Sequence, residues 1–181
     1  MKRCLKCQTK FNSNSWSCPT CDWCPEYKQK TIKFADHIQA QNESFNPDWF
    51  LSLTKLEEGN LWFQSRNKLL QYLFHKLFQF KANYLEIGCG TGFVLKMVEE
   101  NFPNWTINAS EAHSEGLDFT QKRLRNLSNL FQIDALDIPF SEEFDVIGAF
   151  DVAEHIEDDL AAIQQINSAF KIRGYLILSV P

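Results

Sequence analysis

The chain has 181 residues, 44% hydrophobic, 23% charged and 14% aromatic, a globular composition that excludes a wholly disordered or collagen-like polypeptide. That length suffices for one ordinary domain with a small appendage and not for two full enzyme domains. Net charge is −5, yet residues 1–35 stand at +5 and the remainder at −10, so two regions with different roles are expected and the molecule as a whole does not coat nucleic acid.

No apolar run approaches the roughly 18–20 residues that span a bilayer. Met1-Lys2-Arg3-Cys4 leads into polar residues rather than the apolar segment of a signal peptide, and a cytoplasmic protein is the expectation. Five of the six cysteines, Cys4, Cys7, Cys18, Cys21 and Cys24, fall within the first 24 residues. Cys4-x-x-Cys7 and Cys18-x-x-Cys21 have the spacing of two knuckles closing on one tetrahedral zinc. About 25 residues cannot bury a core of their own, so a metal would supply the folding energy of a zinc-ribbon-like module over residues 1–26. A pair of disulfides would need an oxidising compartment. Cys24 can stand in for Cys21 as a ligand. Trp16, Trp23 and the surrounding basic residues suit either RNA binding or a solvated surface around a structural metal.

Residues 27–45 are polar and aperiodic and read as a linker. The main domain would then occupy 46–181, with a helical lid at 46–80 and a core at 81–181. Asn46-Pro47-Asp48 can cap a short helix carrying Trp49, Phe50, Leu53 and Leu56, closed near Gly59. A second helix runs from about Trp62 to Phe80 on the apolar stripe Leu69, Leu70, Leu73, Phe74 and Leu77. Beyond it strands are expected at Tyr84–Ile87, Trp105–Ser110, Leu130–Ile133, Phe144–Phe150 and Gly174–Val180. Helices at Phe93–Phe102, Ser114–Arg125 and Asp158–Phe170 alternate with them. This alternation predicts an α/β, doubly wound, Rossmann-like and mainly parallel sheet, with ligands bound beyond the carboxyl ends of its strands.

The first strand ends in Glu86-Ile87-Gly88-Cys89-Gly90-Thr91-Gly92. A dinucleotide fingerprint needs its third glycine where Phe93 stands, and an acid at Glu86 would repel a pyrophosphate. Both features suit a ligand with a positive end. Here the chain resembles class I S-adenosylmethionine-dependent methyltransferases of the type 11/12 kind, whose first motif reads [DE]-x-G-x-G-x-G. The resemblance covers roughly residues 45–181. It implies cofactor contacts from Glu86, Gly88, Cys89 and Gly90, and from Glu111, which follows strand two and matches the acid that holds both ribose hydroxyls. It extends to Asp134 and Ala135 of the Asp-Ala-Leu-Asp-Ile-Pro-Phe stretch at the adenine edge. Phe150-Asp151-Val152-Ala153-Glu154-His155 is similar to the family's F-D-x-x-E-H, which implies a further cofactor contact from Asp151. Leu61-Trp62-Phe63-Gln64-Ser65-Arg66-Asn67 resembles a W-F-x-x-R-N subgroup, which makes Arg66 the match for an arginine that meets the cofactor carboxylate. His37, His75 and His113 show no partner pattern.

Methyl transfer from a sulfonium is an in-line displacement that depends on alignment, with a base needed only for a protonated acceptor. Neither Asn/Asp-Pro-Pro-Tyr nor Pro-Cys follows strand four, which leaves O-methylation of a small molecule as the leading reading. Asp151, Glu154 and His155 at i, i+3 and i+4 are the candidate catalytic group. The resemblance to ubiquinone-pathway enzymes implies a divalent metal there; without one, His155 serves as general base, or Glu154 and His155 only cap the turn, bond backbone groups and shape the pocket. The alternatives are an RNA methyltransferase assisted by the basic zinc module, a nicotinamide-dependent oxidoreductase, and a protein that binds S-adenosylmethionine without transfer. Because the family's sheet usually has seven strands and five are readable, the natural protein is expected to continue for about 60 residues beyond Pro181, enough for two strands and a helix.

Overall fold

The computed structural model describes residues 1–35 and 49–180. In chain order its elements are β1 (Lys2–Arg3), β2 (Lys10–Phe11), β3 (Glu26–Lys28), β4 (Thr31–Lys33), α1 (Trp49–Glu57), α2 (Leu61–Leu77), β5 (Asn83–Ile87) and α3 (Phe93–Asn101). They continue as β6 (Thr106–Glu111), α4 (Ser114–Arg123), β7 (Leu127–Gln132), β8 (Phe144–Phe150), α5 (Asp159–Ala169) and β9 (Phe170–Ser179). The expected cap at Asn46-Pro47-Asp48 and His37 lie outside the described residues. α2 stops at Leu77, short of Phe80, because Phe78 leaves the helix at φ −120° and inserts its ring beside Trp105 and Tyr175.

One seven-stranded sheet has the order β3-β4-β7-β6-β5-β8-β9, and every pairing is parallel except the β3/β4 hairpin. The five strands from β5 onward form the expected doubly wound core. The other two come from the amino-terminal side: β4 adds in parallel to β7, with Ile32 opposite Phe131. Residues 27–33 are therefore not a linker. Three-residue strands carry almost no periodic signal, and β4 owes its conformation to the free edge of β7, whose backbone groups it satisfies.

The two faces of the sheet are covered differently. Helices α2, α3 and α4 lie on the face that presents Tyr84, Ile107, Ala109, Leu130 and Val146. Leu85, Ile87, Phe131, Ile133 and Ile147 point to the opposite side. There α5 covers part, but the connection from β7 to β8 contains no helix. The cysteine-rich segment fills that place. Trp16, 6% exposed, packs edge-on against Phe34, Phe140 and Phe131 at 4.8, 5.4 and 6.0 Å. Arg3 Nη2 donates to Ile138 O at 2.6 Å and pairs with Asp137 at 3.2 Å, while its backbone N–H reaches Pro139 O at 2.9 Å. The amino terminus pairs with Glu143. The first 35 residues are thus a layer of the fold rather than an appendage.

Candidate functional site: a cofactor cradle and a cysteine quartet

The expected site residues of the core stand at the carboxyl ends of β5, β6, β7 and β8, beside the switch point between β5 and β8. After β5 the chain turns through Gly88, Gly90 and Gly92 at φ +64°, +53° and +77°, a region costly to residues with a Cβ. Close approach adds to the requirement. A Cβ on Gly88 would stand 2.4 Å from Val152 Cγ2, and one on Gly92 would stand 2.9 Å from Thr120 Oγ1. Gly90 is the open position, with its nearest neighbour, the Phe50 ring, at 3.8 Å. Cys89 is spent inside the loop. Its N–H donates to Ser110 O, its carbonyl accepts from Gly92, and its Sγ lies 3.5 Å from Thr120 Oγ1.

Glu111 ends β6 and is 8% exposed. Its Oε2 accepts from Gly90 N–H at 3.0 Å, and its Oε1 accepts from Ala112 and His113 N–H at 2.8 and 3.1 Å. The strand-two acid is therefore tied to the glycine loop that it faces. Burial raises its proton affinity, and the backbone N–H donors together with His113 oppose that. Glu86, 2% exposed, accepts from Tyr84 Oη at 3.0 Å. Its carboxyl is pushed up to about 8, first by burial and also by nearby Glu111, against the pull of Tyr84 and Arg66. An incoming cation would favour the ionised form.

Arg66 projects from α2 to pair with Asp151 at the end of β8, lying 4.8 Å over the Trp62 ring and 5.4 Å over Phe63. Its Nε is buried with no partner among the described residues. Asp151 sits at φ +57°, and its Oδ1 accepts from Ser179 Oγ at 3.0 Å. Strained backbone of this kind concentrates at functional sites. Beyond β7, Asp134 Oδ1 accepts from Leu136 N–H at 2.8 Å, shaping the turn that carries Ala135.

Asp151, Glu154 and His155 do not share one face of an α-helical turn. Asp151 precedes, at positive φ, a 3-10 turn of Ala153–His155, so the i, i+3, i+4 rule does not apply to it. Asp151 turns to Arg66 and Ser179, whereas Glu154 and His155 are exposed. Among the described residues the one group of three or more potential ligands that converges is the cysteine quartet.

In that quartet the four Sγ atoms of Cys4, Cys7, Cys18 and Cys21 lie within 4.8 Å of one another, with Cys4–Cys21 at 3.7 Å and Cys7–Cys18 at 3.5 Å. Four thiolates about 2.3 Å from one zinc would be spaced about 3.8 Å apart, so the donor set fits that ion. The knuckles match each other. Gln8 N–H closes on Cys4 O and Asp22 N–H on Cys18 O, and Gln8 and Asp22 both adopt positive φ, at 62° and 55°. Cys24 is exposed and lies outside the group, whereas Cys21 belongs to it. Trp16 is buried, Lys2 Nζ is held by Ser13 O and Ser15 O, and Arg3 is bound to the core. One of the two rings, Trp16, and two of the cations proposed for RNA are thus occupied within the fold.

Some residues at the site carried little sequence signal. Phe50 reaches from α1 to Gly90 and lies near His113 and Phe119. Glu57 of α1 is buried and accepts from Thr91 Oγ1 and from Arg123, 2.7 Å away, which latches α1 to the glycine loop and α4. Tyr84 was discoverable, since it lies two residues before Glu86 on the same side of a strand.

A family profile described as "Methyltransferase domain" matches residues 57–181. The chain belongs to that methyltransferase family. It is 29% identical over 102 residues to the malonyl-[acyl-carrier protein] O-methyltransferase of Halalkalibacterium halodurans, a match covering 52% of this chain and 37% of that protein. The fold is also that of mmp1179 of Methanococcus maripaludis, with TM-score 0.67, 16% identity and coverage of 77% of this chain and 66% of the other. S-adenosylmethionine-bound CalS10, an amino pentose methyltransferase from Micromonospora echinaspora, gives TM-score 0.61 at 19% identity, covering 78% and 58%. The chain spans less than two thirds of the length of each of these proteins. A methyltransferase domain built on a Rossmann-like sheet is what fold and family define. Among the described residues no helix is long and apolar enough to cross a membrane.

Proposed function

We propose that the protein transfers the methyl group of S-adenosylmethionine to an oxygen of a small-molecule acceptor, with one structural zinc on Cys4, Cys7, Cys18 and Cys21. The cradle suits that cofactor on its own chemistry: an open glycine at 90, a buried carboxyl at Glu86 that an incoming cation would ionise, and a buried nitrogen on Arg66 with no partner among the described residues. When bound, the cofactor supplies an electrophilic methyl on a sulfonium. Glu111 would hold the ribose hydroxyls, Arg66 the carboxylate, Glu86 the positive end, and Asp134 with Ala135 the adenine edge. Asp151 positions Arg66 and closes the end of β8.

The observation that carries the oxygen-acceptor reading is His155. Its imidazole is exposed in the turn after β8, with no side-chain partner among the described residues. A histidine there can take the proton that a hydroxyl acceptor must lose. Glu154 beside it can orient the ring. The O-methyltransferase relative supports the same chemistry. A screen of cell extract with labelled S-adenosylmethionine identifies the acceptor. On that acceptor, His155→Ala is expected to cut turnover at least about a hundredfold while cofactor affinity stays within about threefold. Unchanged turnover removes His155 from the chemistry.

A further inference from the structure

Methyl transfer leaves the amino end of the sheet unexplained. A cleft of about 740 Å³ opens there, between the cysteine module and the starts of β5, β6 and β7, within the roughly 300–1,000 Å³ of small-molecule sites. Thr106 lines it, and Glu111 of the cofactor cradle ends the same strand. Five residues of strand set the two roughly 17 Å apart, so the cleft is separate from the cradle. Its floor is a row of amides. Asn83, Asn108 and Asn129 stand on three neighbouring strands, on the side that also carries Leu85 and Phe131. Asn129 Nδ2 donates to Asn108 Oδ1 at 2.7 Å. Asn108 Nδ2 donates to Asn83 Oδ1 at 2.8 Å and to Tyr84 O at 2.9 Å, and Asn83 Nδ2 to Glu143 O at 3.1 Å.

Asparagine is disfavoured in strands, and Asn108, 3% exposed, belongs to a strand flanked on both sides. Burying its amide costs stability that the bonds of the row offset at best, so a sheet under no other demand would place apolar side chains there. The row is open at its outer end. Asn129 is exposed; one Nδ2 hydrogen goes to Asn108, and the other, with Oδ1, has no partner among the described residues. The walls are aromatic: Trp16, Phe131 and Phe144 on the buried side, and Tyr27, 54% exposed, on the open side. The charged groups of the lining are occupied, Lys2 Nζ by Ser13 O and Ser15 O, and Glu143 by the amino terminus. The cleft therefore favours an uncharged, planar group that can lie against Tyr27 and offer Asn129 a donor beside an acceptor. The N6/N7 edge of adenine is such a pair, and asparagine reads it with both amide atoms.

We propose that this cleft is a second ligand site, apart from the cofactor cradle, that takes the adenine base of a nucleoside. The test is calorimetric titration of adenosine into the full chain carrying Glu111→Ala, which weakens the cradle and leaves the cleft intact. Expected is saturable binding of adenosine, with purine riboside, which lacks the 6-amino donor, at least about tenfold weaker. Adding Asn129→Leu or Tyr27→Ala should each weaken adenosine at least about tenfold. Both positions are exposed, so circular dichroism should remain unchanged. In otherwise wild-type protein the same two substitutions should leave S-adenosylmethionine affinity at the cradle within about twofold, which separates the cleft from the cofactor site. Absence of adenosine binding to the Glu111→Ala protein overturns the proposal. So does equal affinity for purine riboside, or adenosine binding that survives both Asn129→Leu and Tyr27→Ala, since the remaining site would then be the cradle.

Discussion

The helical face of the sheet and the cysteine-module face bury comparable aromatic and aliphatic side chains by opposite means. On the first, α2, α3 and α4 satisfy their own backbone and need only turn an apolar stripe inward, as Leu70 and Phe74 do against Tyr84 and Trp105. On the second, strands of two residues and two knuckles carry Trp16 and Phe34 onto Phe131 and Phe140. Such a segment has too little buried surface to hold its own shape, so its order depends on the four thiols and on docking. The comparison teaches that a small stapled module can take the structural place of a crossover helix. The stability of the catalytic sheet is then coupled to the cysteines.

Metal removal is the strongest way to break that comparison. Reduced protein is expected to contain one zinc per chain by elemental analysis. Cys18→Ser, or prolonged chelation, should lower the melting of the whole domain in one cooperative transition, and cofactor binding should fall with it. Trp16→Ala should destabilise by about 3–5 kcal/mol in urea titration. A catalytic domain that melts unchanged after either treatment would show the module to be a passenger.

The cofactor edge gives a smaller effect. Glu111→Ala removes charge-assisted bonds worth about 1.5–3 kcal/mol, so affinity for S-adenosylmethionine and for its demethylated product should both fall at least about tenfold by calorimetry. Melting temperature should move much less than in Trp16→Ala, which separates the binding face from the stapled one.

Glu86 sharpens the contrast through pH. Its carboxyl stands at about 8 in the fold against 4.5 ordinarily, so the folded state holds a proton that the unfolded chain releases. Its contribution to stability is complete below 4.5 and is lost as pH rises to about 8. Binding of a cationic ligand runs the other way and should tighten with pH by up to about tenfold per unit until the carboxyl ionises. Glu86→Gln should abolish the pH dependence of both and weaken binding of the cation. A flat profile in wild type would show that this carboxyl is already ionised.

Arg3 gives the smallest effect. Arg3→Ala removes bonds to Ile138 O and Asp137 at the seam between the layers and should cost about 1–2 kcal/mol of stability. No change would mean that Trp16 alone holds the module.

Alternating apolar segments already specified β5 to β9 and the helices between them, because strands of a covered sheet and amphipathic helices must write their periods into the chain. Glycines 88, 90 and 92 were legible because positive φ admits few other residues, and the two Cys-x-x-Cys pairs because zinc demands four soft ligands at set spacing. Tertiary structure alone decided the rest. Whether Thr31–Lys33 became a strand depended on the free edge of β7, and whether Trp16 faced solvent or core depended on the missing helix between β7 and β8. The direction of Asp151 followed from its positive φ and its pairing with Arg66, 85 positions earlier in the chain. Local sequence encodes torsional and periodic preference over a few residues. These outcomes turned on groups that become neighbours only after the sheet has formed, where desolvation and pairing outweigh local propensity.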